Sequence, residues 1–589
     1  MGKRGLAGEC RLGRTAIIAL IMMPVLFSGF AKADTIIADS CSYEDVSSAI
    51  DSAESGDTVI VPAGECVWDE TLTISKGIML QGAGIDKTVI TSTVEGRYNY
   101  AIDFNYNGAV GSGYVTGICG FTLKAAADFY GLIKLSNQDW QHPVRNIKVY
   151  DNKLDCNGLT IGIVHYPACF GVIYNNIILD TSHAWRFLGG SYGWCVETWV
   201  PGTSNAMYYE DNYCALTSKD FDFDLIVSGG AGNRYVGRYN TFNLSVLEPF
   251  NGSKQWFDIH GNQGNNNSAG IGLELYGNLR VGTRGALINH RGGQVFFFLN
   301  QWKTTDNNYL GTVGIWEEFN DDDFQPVKCD SSTYAKTTEG NVKQRVHNSY
   351  YWRNYGGVNG DILSSDTSVG FDHYNRVNGT LNDPLIMFEN KQWFRDHNSA
   401  FDGEVDPVGS CGYYGGPACE KSGVGCGSFA DMLAIEPKEA GLGFWVTGQS
   451  CSDISNVVGK DHSETISGTL YRSVSDGKGG YRWEHYYTPY KYPHPLRSAP
   501  VGVGICADGQ ITNECWCEGV RESGYCWHGY YVGESGNCDV NRDTKVNIQD
   551  VQCCVNQITG SQEWSGADVN GDGAADIQDV QAIVNELIS

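Results

Sequence analysis

The stretch VYDNKL, residues 149–154, joins an aromatic-ended strand to a second apolar strand through one asparagine, Asn152. The same signature returns as IYNNII with Asn176, YYEDNY with Asn212, GRYNTF with Asn240, LYGNLR with Asn278 and FFLNQW with Asn300. The intervals between these asparagines are those of one small strand-bearing unit, and they are uneven. Repeats of this kind mark a solenoid, a propeller or a coiled stack of strands. Propeller blades recur more steadily than this, whereas a stack of coils absorbs insertions at its loops without losing register.

Each coil of such a stack needs a sharp corner between two strands. Asn tolerates the left-handed backbone that a corner uses, and asparagines of successive coils can align into a hydrogen-bonded ladder. Shorter β-rich runs precede the repeats (DTVIVPAG, TLTISKGIMLQGAG, KTVIT), and residues 43–53 form the one convincing helical stretch before about residue 500. The expected fold is therefore all-β, a single-stranded parallel β-helix. About a dozen coils stacked ~4.8 Å apart would make a rod on the order of 60 Å long.

Residues 1–33 read as a secretory signal: Lys3, Arg4, Arg11 and Arg14, an apolar run from Ala16 to Phe30 broken by Pro24, then Ala31-Lys32-Ala33. No second run approaches the length of a membrane span. The expected location is secreted, extracellular or cell-surface. The net charge of −27 argues against nucleic acid and anionic membranes as partners, and it repels polyanions unless a cation or a local basic patch intervenes. Of the 20 cysteines, Cys10 lies in the signal, and the rest are expected to form disulfides with one thiol left over. Cys41 and Cys66 flank the first strand region and make one candidate pair. Zinc-type CxxC or HExxH spacings and the CxxCH haem motif are absent.

The opening from SCSYEDVSSAIDSAESGDTVIVPAGECVW onward, residues 40–90, resembles that of the pectate-lyase-like superfamily of secreted right-handed β-helices. The closing stretch YYTPYKYPHPLRS, residues 486–498, resembles the end of one group within it. The resemblance covers roughly residues 40–500 and implies a β-helix domain over 34–500 whose N-terminal end is capped by a short helix. It implies no single reaction, because this fold hosts lyases, hydrolases, esterases and non-catalytic adhesins. Residues 400–455, with Cys411, Cys419, Cys426 and Cys451, read as a disulfide-tied loop inserted over one face. Residues 501–536 read as a small Cys-rich linker.

Proteins of this fold work in a groove on one outer face. The densest chemistry lies in residues 256–294, where Asp258 and His260 alternate on a strand and share a face. Glu274, Arg280, Arg284, His290 and Arg291 follow. For a lyase acting on uronic-acid chains, Arg284 and Arg291 suit neutralisation of the sugar carboxylate, and His260 or His290 suits proton removal. For a hydrolase, two carboxylates must straddle the bond, and Asp258 with Glu274 is the candidate pair. These residues can equally line turns or satisfy backbone groups. Asp220, Asp222 and Asp224 share another face, either solvated, or an acid/base row, or holding a further calcium ion in the groove, and Asp321, Asp322 and Asp323 read as a solvated loop. The motif set of polygalacturonases is absent.

Near the C-terminus, NCDVNRDTKVNIQD and ADVNGDGAADIQD present oxygen ligands at matching offsets. Asp539, Asn541, Asp543 and Asp550 occupy positions 1, 3, 5 and 12 of the first loop, with the carbonyl of Lys545 at position 7. Asp568, Asn570, Asp572, Asp579 and the carbonyl of Ala574 repeat the set. This spacing suits two Ca²⁺ ions. Asp at position 12, the missing entering helix and the DVNxD start resemble type I dockerins, over residues 537–589. That implies a small α-helical, calcium-folded domain and a cohesin-like partner. Thr544 stands where Gly is usual, and Ile548-Gln549 and Ile577-Gln578 replace the usual Ser-Thr pair. The whole chain thus reads as a secreted polysaccharide-degrading protein, lyase or glycoside hydrolase, tethered by its tail. The alternative is a non-catalytic glycan-binding or surface-structural protein.

Overall fold

A computed structural model describes residues 33–499 and the strands Gly524–Trp527 and Tyr530–Gly533. Within 33–499 it leaves out shorter breaks, among them 108–112, 188–190, 219–225, 228–231, 248–255, 263–267 and 283–285. The longer breaks are 304–311, 316–327, 334–343 and 363–386. The signal segment, Asp220, Asp222, Asp224, Arg284, Asp321 to Asp323 and both calcium loops lie outside the described residues.

The chain winds as a right-handed parallel β-helix with three faces. Sheet one has 12 strands, from Thr35–Ile37 to Trp393–Arg395, and sheet two has 11, from Gly64–Trp68 to Asp361–Ile362. Sheet three is a six-stranded run from Leu72–Ile74 to Ile226–Val227. A three-stranded run then takes the same place in the coil: Phe257–Ile259, Ala286–His290 and Thr312–Ile315. One coil shows the order: Val144–Tyr150 in sheet one, a two-residue corner, Lys153–Asp155 in sheet two, Ile161–His165 in sheet three, then Cys169–Tyr174 back in sheet one.

The corner between sheets one and two carries the ladder. Asn152, Asn176, Asn212, Asn240, Asn278, Asn300 and Asn354 are stacked, each Nδ2 donating at 3.0 Å to the Oδ1 of the next. Each backbone N–H donates to the same oxygen, and each Nδ2 also reaches a carbonyl of the preceding coil, as Asn240 does to Tyr209 at 2.9 Å. The left-handed residue is not the asparagine, as expected, but the one before it: Asp151, Asn175, Asp211, Tyr239, Leu299 and Arg353 all have φ between 50° and 59°. This conformation costs roughly 1–2 kcal/mol per non-glycine residue, and the ladder offsets it. Asn is kept one position later because only its side chain offers both an amide donor and a carbonyl acceptor in line with the stack.

Inward-facing residues fill the bore. Trp185 stacks on Tyr209 with ring centres 4.3 Å apart, and Phe187 on Tyr235 at the same distance. Four described cysteines, Cys119, Cys156, Cys169 and Cys214, are buried thiols and not the disulfides expected. They behave as small apolar groups in the packing. At the N-terminal end, helix Tyr43–Ser52 is capped by Ser42 and lays Val46, Ala49 and Ile50 over the first coil. Lys76 Nζ caps the far end of the helix through the carbonyls of Ile50, Asp51 and Ala53. The Cys41–Cys66 disulfide ties this cap to sheet two.

After the last strand of sheet one, residues 399–499 turn back along the outer face of that sheet. The segment expected as a loop at 400–455 holds the Cys411–Cys419 and Cys426–Cys451 disulfides. It also supplies a short helix, Phe429–Leu433, and two strands, Val424–Gly427 and Gly443–Val446, that join Thr469–Ser475 and Tyr481–Tyr487 in a four-stranded sheet. Aromatic residues seal it to the β-helix: Tyr487 stacks on Phe296 at 4.4 Å, and Trp445 packs on Phe298 and Trp352. At the centre lies Arg238, fully buried, donating to Glu210 (2.8 Å from Nε), the Tyr276 hydroxyl and the carbonyls of Tyr490 and Lys491.

Asn240→Ala removes the acceptor for two donors of Asn212 and the donor to the Tyr209 carbonyl. The expected loss is about 3 kcal/mol, read as a lower urea midpoint of the β-helix with an unchanged slope.

Candidate functional site

The outer face of sheet three brings three of the sequence-selected residues together. Asp258 lies on strand Phe257–Ile259, in register with Asn289 of the next coil, and Ile259 is in register with His290. His260 and Arg291 each follow by one position, so Asp258, His260 and Arg291 point outward together. Arg291 donates to Asp258 Oδ1 from Nε at 3.0 Å and to Oδ2 from Nη2. His260 Nε2 lies 2.6 Å from Arg291 Nη2 and 3.1 Å from Asp258 Oδ2. Asp258 is almost wholly buried, while His260 and Arg291 keep 17% and 14% of their side chains exposed, enough to meet a ligand. Burial pushes the Asp258 carboxyl up, but the hydrogen bonds and charges of His260 and Arg291 outweigh it and hold the group below the usual carboxylate range.

Two further residues join this face that the sequence did not single out. His183, at the corner before strand Trp185–Phe187, lies within electrostatic reach of Asp258 and Arg186. Burial and the nearby Arg186 charge push its imidazole down to about 4, so it is neutral at neutral pH. Asn289 sits buried beside Asp258. Alternation along the strand marks Asn289 as sharing the face of Arg291; His183 carries no such signal.

Towards the N-terminal coils the same face is lined with cations and tyrosines. Lys134 pairs with Asp103 at 2.9 Å and lies over the rings of Tyr100 and Tyr166. Arg186 lies over Tyr130, and Tyr130 stacks on Tyr98, which is 74% exposed beside Arg97. Four coil steps separate the Tyr130 strand from that of Asp258, roughly 20 Å along the axis.

Glu274 and His290 fall elsewhere, which corrects their assignment to the groove. Glu274 lies on the outer face of sheet one, beneath the C-terminal segment 399–499, where Gly202 N–H and the Tyr487 hydroxyl donate to its two oxygens at 2.8 and 2.7 Å. It cannot pair with Asp258 across a glycosidic bond, because the two occupy different faces of the coil. His290 points into the bore, engaged by the Tyr351 hydroxyl at 2.6 Å and the Gly293 carbonyl, and burial lowers its imidazole to about 3. Arg280, noted in the same stretch, is wholly buried. Among the described residues, Asp406, Cys411 and Cys419 form a metal-type grouping, but the disulfide takes both sulfurs.

Residues 537–588 match the family model described as the dockerin type I domain. The tail is a dockerin type I domain. Such domains bind calcium, and the donor set at Asp539, Asn541, Asp543, Asp550 and at Asp568, Asn570, Asp572, Asp579, all hard oxygen ligands, fits that ion. No curated protein matches the chain. Among solved structures, an alginate lyase from Paenibacillus sp. str. FPU-7 is similar at 12% identity and a TM-score of 0.27, over 48% of this chain and 93% of that one. The A-module of the mannuronan C-5 epimerase AlgE4 from Azotobacter vinelandii is similar at 14% identity and a TM-score of 0.20, over 58% of this chain and 98% of that one.

Burial raises the Glu274 carboxyl to about 7, and the donors Gly202 and Tyr487 and the Arg238 charge offset only part of that rise. Between the ordinary carboxylate range and about pH 7, the folded state keeps a proton that the unfolded chain has released. Stability therefore falls as pH rises across that window and stays low above it. Glu274→Gln is expected to melt higher than the parent at about pH 8, by on the order of 2–3 kcal/mol, with no gain at about pH 4; paired thermal melts at the two pH values check it.

Proposed function

We propose that this chain is a secreted protein acting on an acidic polysaccharide, held in an extracellular assembly by its dockerin domain, and that its chemistry is lyase-type. The observation that carries this reading is the Asp258–His260–Arg291 cluster on the outer face of sheet three. Support for an acidic chain comes from the cations gathered on that one face, Arg97, Lys134, Arg186 and Arg291, of a protein whose net charge is −27. Lys134 and Arg291 are each paired with a carboxylate of that face, Asp103 and Asp258, and Arg97 and Arg186 add the positive charge a polyanion needs on an acidic protein. Tyr98 and Tyr130 offer stacking surface to the sugar rings.

In this reading Arg291, fixed by Asp258, faces the uronate carboxylate and lowers the cost of charge developing beside the scissile bond. His260 is placed to take the proton from the carbon next to that carboxylate, with His183, two coils earlier, as the other imidazole of this face. The C–O bond at the neighbouring carbon then breaks, a carbon–carbon double bond forms, and the leaving sugar oxygen picks up a proton. A hydrolase reading is weaker because the cluster holds one carboxylate, and a pair is required. Arg284 stays a candidate second neutralising group. A binding-only reading rests on Asp258 and Arg291 satisfying each other.

The dockerin domain is proposed to hold two calcium ions, one per loop, and to dock on a cohesin-like partner. The domain boundaries proposed are 34–500 for the β-helix with its C-terminal cover, 501–536 for the linker and 537–589 for the tail.

The test is incubation of the full-length protein with acidic and neutral polysaccharides in calcium, following reducing ends together with the ultraviolet absorbance of unsaturated products. Both signals are expected on an acidic chain, and His260→Ala and Arg291→Ala are each expected to slow the reaction by about 100-fold or more. Reducing ends without absorbance mean hydrolysis, and binding without product means the binding-only reading. Calcium chelation is expected to abolish the tail's own melting transition and leave that of the β-helix in place, which calorimetry of the full chain measures.

A further inference from the structure

Where strands Gly96–Asn105 and Phe129–Ser136 pair on sheet three, their register breaks at its start: Gly96 stands opposite Phe129, and Tyr100 opposite Gly131. Arg97, Tyr98 and Asn99 therefore face the single residue Tyr130, and the extra length leaves the sheet as a bulge. Gly96 opens it with φ at 114°, and Asn99 Nδ2 closes it on the Glu95 carbonyl at 2.6 Å. Bulges re-aim side chains and are over-represented beside active sites. This one turns Tyr98 out until it is 74% exposed, and it lays that ring on Tyr130, centres 6.1 Å apart and planes 29° apart.

A guanidinium flanks each ring of the pair. Arg97 Cζ is 5.9 Å from the Tyr98 ring centre, and Arg186 Cζ is 5.6 Å from that of Tyr130. Lys134 and Arg291 on this face have acids of their own, Asp103 and Asp258. Arg186 instead has Val164 and Val227 on either side of it in register. Among the described residues, neither Arg186 nor Arg97 has a carboxylate partner. In a chain of 68 acidic and 41 basic residues, two such cations beside an exposed ring are a local departure from the charge of the whole. A guanidinium held against a ring still offers its N–H fork to a carboxylate. The rings offer apolar surface to the C–H face of a sugar. A uronate uses both; a neutral sugar leaves the charge unused, and a bare anion leaves the rings unused.

We infer that Arg97, Tyr98, Tyr130 and Arg186 form a remote subsite for the acidic polysaccharide, with sugar faces on the tyrosines and carboxylates on the guanidiniums. This rests on the reading of sheet three as the face that meets an acidic chain, and not on any bond being broken at Asp258. The strands of Arg97 and Arg186 are three coil steps apart, ~14 Å, the length of about three pyranose rings. Asp258 lies four coil steps, ~20 Å, beyond the Tyr130 strand. A short chain thus occupies one place or the other, and a longer one spans both, held at a distance from the reacting bond.

The experiment is calorimetric titration of the full-length protein carrying Arg291→Ala, which silences the Asp258 cluster, with trimers of galacturonate, mannuronate and guluronate. Cellotriose serves as the neutral probe of equal length, and tripolyphosphate as charge without rings. At least one uronate trimer is expected to bind, with cellotriose and tripolyphosphate at least tenfold weaker. Adding Tyr98→Ala is expected to weaken that binding at least tenfold and, because the ring is exposed, to leave the melting temperature unchanged. Arg186→Gln is expected to weaken it as much, and Tyr98→Phe to retain it. No binding by any uronate trimer, equal binding by cellotriose or tripolyphosphate, or full binding by a folded Tyr98→Ala variant overturns the proposal. Binding is read here and not turnover, so failure of the lyase reading leaves trimer binding intact, and failure of this subsite leaves turnover intact.

Discussion

Seven stacked asparagines set the geometry on which the rest of this molecule depends. Each ladder Oδ1 between Asn176 and Asn354 accepts twice from the coil before it. The two-residue corners of sheets one and two are therefore held in line over successive coils, and the strands on either side inherit a common register. Sheet three is reached from sheet two through connections of varied length, so it tolerates insertions there while its strands stay in phase. The alignment of Asp258 with Asn289, and of His260 with Arg291, is a downstream result of that phase. A slip of one residue in either coil would send the partner inward.

The ladder also explains which residues bear strain. Tyr239, Leu299 and Arg353 are poor choices for a left-handed backbone, yet they occupy it. Their side chains are wanted for other reasons. Tyr239 stacks on His462 at 4.1 Å and accepts from the Ile466 N–H, so it fastens the C-terminal segment to the coil. Arg353 holds Asp396 at the end of the β-helix. The corner conformation is enforced by the asparagine that follows, which frees the preceding position to be chosen for its contacts.

This division of labour accounts for what the sequence disclosed. The period was legible because the ladder accepts one residue type, and six of the seven asparagines stand out by their flanking aromatics. Asn354, in YWRNYG, carries the same signature but follows a 54-residue interval that hides it. The dockerin tail was legible for a similar reason, since its oxygen-bearing residues recur at set offsets. The candidate site was legible only in part. Alternation says that Asp258 and His260 share a face, and it also says that the neighbours His290 and Arg291 cannot. It does not say which of two faces is the bore. Nor does it reveal that the outward face bearing Glu274 is covered by Tyr487, 213 residues later.

Arg238 bonds to the Tyr490 carbonyl across 252 residues, and Lys148 to that of Ala499 across 351. A β-helix can grow coil upon coil from its capped N-terminal end, each new strand templated by the last, so the bulk of this fold is built from contacts of modest sequence separation. The cover over sheet one obeys a different clock. Until residues 486–499 have been made, Tyr208, Tyr276 and Phe296 form a bare aromatic stripe, and Arg238 has only Glu210 and the Tyr276 hydroxyl of its own β-helix. The growing rod is thus sound in its backbone and adhesive on one side, the kind of surface that neighbouring nascent chains find. Its maturation is the closing of a long strap, and a chain cut short before that strap would be the one to aggregate.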